Sequence, residues 1–78
     1  DKTTLVELHL KQALEHVALG EKHISRQREI VSEIKGRGFD TTEAERLLAA
    51  FLQSQVMHIA HRDRLQDELA TIEKQHFH

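Results

Sequence analysis

The 78-residue chain predicts an all-α fold, an antiparallel two-helix hairpin that pairs with a second copy into a four-helix bundle. Three observations carry that expectation. Apolar residues recur at alternating spacings of four and three through both halves, the mark of a helix with one buried seam. The only strong breaker is KGRGFDTTE near the middle, which holds two of the three glycines, while proline is absent. Cysteine is also absent, so a chain this short has no disulfide to support it and gains most from association.

The first seam runs Val6, Leu10, Ala13, Val17, Gly20, Ile24, Gln27, Val31 and Ile34. The second runs Ala44, Leu48, Phe51, Gln55, His58, Arg62, Leu65, Leu69 and Ile72, widened by Leu47, Leu52 and Ile59. A single domain over 1–78 follows, with helix 1 over about 3–36, a turn over about 36–40 and helix 2 over about 41–76. Gly36 or Gly38 suits a left-handed helix stop. Asp40 with Glu43, or Thr42 with Glu45, has capping-box spacing, and Phe39 is placed to staple onto Ala44. A turn this short returns helix 2 beside helix 1 as a coiled-coil hairpin roughly 50 Å long at ~1.5 Å per residue.

Two helices cover only part of each other's apolar surface. A homodimer is the expected remedy. Its expected interface comprises Leu10, Leu14, Val17, Ile24, Val31, Leu47, Leu48, Phe51, Leu52, Ile59, Leu65 and Leu69. The start at Asp1, without a methionine, also fits a trimmed or excised segment in which other parts of a longer chain cover that face.

The centre of the second seam is polar where an apolar stripe would ordinarily continue. Opposing the helices so that Gly20 meets His58 makes the glycine a recess for the imidazole. A shift of a few residues puts Val17 opposite His58 instead. Either register gathers His16, His58 and His61, with Gln55 and Glu21 nearby. One reading is a hydrogen-bonded polar layer that penalises wrong registers. The other is a metal or small-ligand site, because His58 and His61 have the i, i+3 spacing that lets two imidazoles approach one ion. The ligand set is incomplete. The inward Glu-x-x-His pairs of carboxylate-bridged bundles are missing apart from Glu73 and His76 at the chain end, HExxH is absent, and no haem attachment motif occurs. No cofactor and no metal are assigned, and His58, His61 and His16 are the nearest candidates. His9, His16 and His23, spaced by seven, line one edge of helix 1, either as solvated edge residues or as a pH-responsive subunit boundary.

Composition excludes other classes. Phe39, Phe51 and Phe77 are the only aromatics besides histidine, too few for base-stacking platforms. The net charge is −2, with acidic and basic residues interspersed, so the footprint of a nucleic-acid binder is missing. In architecture alone the chain resembles the plasmid-encoded Rop protein, whose RNA binding would require a basic outer face. Lys11, Lys22, Arg26 and Arg28 offer one, interrupted by Glu15 and Glu29. Neither nucleic acid nor membrane is an expected partner, since no apolar run approaches the ~20 residues of a membrane span. A cytoplasmic location is the default expectation. Ser25, Ser32 and Ser54 have no base and orienter around them, and GRG in a helix-helix turn is not a phosphate loop, so no enzyme is expected.

GEKHISRQREIV, GRGFDTTEAERLLAAF and HIAHRDRLQDEL together resemble a group of small, uncharacterised bacterial helical-hairpin proteins of alphaproteobacterial type. Their pattern is G-E-x-x-I-x-x-Q-x-x-I, then G-x-D-T-x-x-A-x-x-L-L, then H-x-x-x-R-D-R-L. Gly20, Glu21, Ile24, Gln27, Ile30, Gly38, Asp40, Thr41, Ala44, Leu47, Leu48, His58, Arg62, Asp63, Arg64 and Leu65 match it. The resemblance implies the hairpin and brings no activity. The expected function is a non-enzymatic oligomerisation or protein-interaction module, such as an accessory of bacterial signalling, acting on itself or on another protein. The alternative is a small-ligand or metal-binding bundle built on the central histidine layer.

Overall fold

A computed structural model describes residues 1–76, His76 by its backbone alone. It contains helix α1, Lys2–Gly36, and helix α2, Thr42–His76, packed antiparallel along their whole length. The hairpin measures 63 × 15 × 14 Å.

Each helix end has an identifiable cause. At the start of α1 the Asp1 carboxylate accepts a hydrogen bond from the Thr4 amide at 3.0 Å, satisfying one of the free N–H groups of the first turn. At its end the Gly38 amide donates to the Lys35 carbonyl at 3.0 Å and the Phe39 amide donates to the Ile34 carbonyl at 3.1 Å. That pair of bonds is a Schellman motif, which needs a residue with positive φ, and Gly38 supplies it at +77°. Gly36 stays within the helix.

The entry to α2 is tied by the Asp40 carboxylate, which accepts from the Thr42 amide at 3.0 Å and from the Thr42 hydroxyl at 2.6 Å. These two bonds hold the Asp40 carboxyl below its ordinary pKa, the hydroxyl contributing most. Neither expected capping box forms. Asp40 reaches two residues on instead of three, Thr42 spends its hydroxyl on Asp40, and Glu43 pairs with Arg46 at 2.6 Å. The expected staple of Phe39 onto Ala44 contributes little, because Phe39 remains 68% exposed.

Every residue of the two expected seams is buried or half-buried. Val6, Ala13, Leu65 and Ile72 form the core cluster toward the open end of the hairpin, with Leu10 and Leu69 packed on it. Ile24 and Gln27 are buried nearer the turn. Arg62 occupies a seam position by laying its aliphatic stem there while its guanidinium turns out to Asp63 at 2.9 Å. Burial is shallow throughout: among the described residues no side chain is completely enclosed.

The expected interface residues divide. Ile24 and Leu65 are buried inside the hairpin. Leu10, Val17, Val31, Leu48, Phe51, Ile59 and Leu69 are half-buried, and Leu14, Leu47 and Leu52 stand exposed.

Candidate functional site

The middle of the hairpin is organised by Gln55, which is 4% exposed at a seam position. Its Nε2 donates to the Val17 carbonyl at 2.9 Å and to Glu21 Oε1 at 2.9 Å, so one α2 side chain grips both backbone and side chain of α1. Its Oε1 is buried with no hydrogen-bond partner among the described residues and fills the space that a β-carbon on residue 20 would need. Only glycine leaves that space open. With the amide oxygen lying over the Gly20 backbone, a weak Cα–H···O contact is the interaction available to it.

This corrects the pairing expected from sequence. Gly20 makes room for Gln55 and not for His58, a shift of nearly one helical turn that matches the alternative register with Val17 opposite His58. His58 is accordingly half-buried, not a buried register residue. A second glutamine repeats the device nearer the turn. Gln27, 5% exposed, donates from Nε2 to the Ala44 carbonyl at 2.9 Å, so its buried amide finds a backbone acceptor in the first turn of α2. Sequence reasoning placed both glutamines in the seam and Gln55 beside its polar layer, but gave the register role to His58 and none to Gln27. The available signal was a long amide at a position that otherwise takes apolar side chains, since such a group must find backbone partners when buried.

The histidines lie on the opposite flank of the seam from the Gln55–Glu21 bond. The His16 and His58 ring centres are 5.6 Å apart with planes inclined at 49°, and His23 lies 5.4 Å from Phe51 at 35°. The structure thus joins His16 to His58 across the helices. His61 is exposed and lines a shallow cleft with Ser54, Met57, His58, Ala60 and Arg64. His9, His16 and His23 are all exposed along the edge of α1. Among the described residues no group of three or more histidine and carboxylate side chains is arranged to hold an ion. The candidate basic face of α1 is partly neutralised, because Arg26 pairs with Glu29 at 3.1 Å and reaches Glu33 at 3.9 Å. Among the described residues no helix is long and apolar enough to cross a membrane.

No protein-family model, curated protein or solved structure matches the chain.

Proposed function

We propose that the chain is a non-enzymatic oligomerisation module whose hairpin pairs with a second copy to complete a four-helix bundle. The observation that carries this reading is the uneven closure of the seam. On the flank shared with His16 and His58, the seam residues Val6, Ala13, Gln27, Leu65 and Ile72 are buried, and Gly20, Ile34, Ala44, Phe51 and His58 are half-buried. On the other flank Leu10, Val17, Val31, Leu48 and Leu69 are only half-buried, with Ile24 and Gln55 the covered exceptions. Leu14, Leu52 and Ile59 extend that open flank, each following a seam residue on the same side as Glu21, and Leu14 and Leu52 are 45% and 38% exposed.

The surface area supports the same reading. The chain exposes 6098 Å². A compact monomer of 9.0 kDa exposes about 4,900 Å² by the usual mass scaling, which leaves an excess of roughly 1,200 Å². A standard interface takes about 800 Å² from each partner, so one closely packed second copy is enough to absorb most of the excess.

Sedimentation equilibrium and thermal melts over a hundredfold range of concentration test the proposal. The expected result is a species of twice the chain mass with a melting temperature that rises with concentration, because folding and association are linked. Leu52→Glu should lower that mass to one chain and remove the concentration dependence. A wild-type monomer with a concentration-independent melt would overturn the reading.

A further inference from the structure

We infer that His16 and His58 form a cross-helix binding site for a borderline divalent cation such as zinc or nickel, one ion per chain, with water completing the coordination. The geometry of the pair carries the inference. Zinc sits about 2.0–2.1 Å from an imidazole nitrogen, which puts it roughly 3.2 Å from the ring centre and, at a tetrahedral angle, sets two such rings about 5.2 Å apart. His16 and His58 stand at 5.6 Å without an ion. Their planes are inclined at 49°, so the two rings are tilted and not stacked face to face. Imidazole is the side chain that selects zinc, nickel and copper(II) over magnesium and calcium.

Access and selectivity also follow from position. His16 is exposed and His58 is half-buried beside an open cleft, so hydrated metal reaches the pair from solvent. Glu21, the carboxylate of the same layer, is held on the other flank by its 2.9 Å bond from Gln55. His61 joins no three-ligand group with the pair, which confines the chelate to one histidine from each helix. A cation bound there ties α1 to α2 at mid-length and stabilises the folded hairpin in proportion to its occupancy. The site lies on the flank away from Leu14 and Leu52, so this inference does not depend on the proposed assembly.

Calorimetric titration of the full chain with zinc chloride and with nickel chloride, paired with thermal melts, tests it. Saturable binding of one ion per chain and a metal-dependent rise in melting temperature are expected. Each of His16→Ala and His58→Ala should weaken binding at least tenfold and abolish the rise, whereas His61→Ala should retain both. Wild-type protein provides an independent check: on titration with diamagnetic zinc, the imidazole NMR signals of His16 and His58 should move together, ahead of those of His9 and His23. No saturable binding, binding that survives both single variants, or binding lost in His61→Ala and kept in His16→Ala would overturn the site.

Discussion

Gln55 lies across Gly20 so closely that its amide oxygen occupies the place of a β-carbon, and the same amide donates to the Val17 carbonyl and to Glu21. The absence of one methyl group on α1 therefore lets a side chain of α2 reach the α1 backbone. Two helices with similar apolar seams gain from this a position whose offset pairs the buried N–H donors of Gln55 with Val17 and Glu21.

A sign reversal tests that relationship. In the wild type, Gly20→Ala expels the Gln55 amide, and the loss of its bonds should outweigh the gain of up to ~1 kcal/mol in helix propensity, for a net destabilisation of about 1–2 kcal/mol. In a Gln55→Ala background the obstruction is gone, and Gly20→Ala should stabilise by up to ~1 kcal/mol. Chemical denaturation of the four proteins at one concentration measures both. Equal effects in the two backgrounds would show that Gln55 does not need the glycine.

The two turn glycines should respond in opposite directions to alanine. Gly38 has φ +77° with open space around it, so a β-carbon there meets only backbone strain, and Gly38→Ala should cost about 1–2 kcal/mol. Gly36 lies in the last turn of α1 with nothing within 4 Å of an added β-carbon, and Gly36→Ala should be neutral or stabilising by up to ~1 kcal/mol. Thermal melts of the two variants side by side decide the matter.

Asp40 gives the turn a defined acid response. Its folded pKa is lowered beneath the ordinary 3.8 by the Thr42 hydroxyl and amide, so its contribution to stability is present above about that pH and is lost as pH falls through the lowered folded value. An NMR titration of the Asp40 carboxyl carbon should give a midpoint below 3.8, returning toward it in Thr42→Ala. Because Asp40 is exposed, ordinary salt should shrink the effect. An unchanged midpoint in Thr42→Ala would assign the shift to something other than the hydroxyl.

Alternation of four and three determined the helices and the seam, because an α-helix brings those spacings onto one face whatever the partner, and the short turn determined the antiparallel return. The position of the turn was equally legible, since glycine at positive φ ends a helix by local sterics alone. Choosing between Gly36 and Gly38 required the hydrogen bonds of the folded turn, and so did the replacement of a capping box by the Asp40–Thr42 bonds. Register was left to tertiary structure. Periodicity repeats along the seam and scores neighbouring offsets alike, so only cross-helix interactions distinguish them: Gln55 over Gly20, Gln27 on the Ala44 carbonyl and His16 beside His58. Those interactions depend on which atoms meet in space, a property that spacing along one chain does not contain.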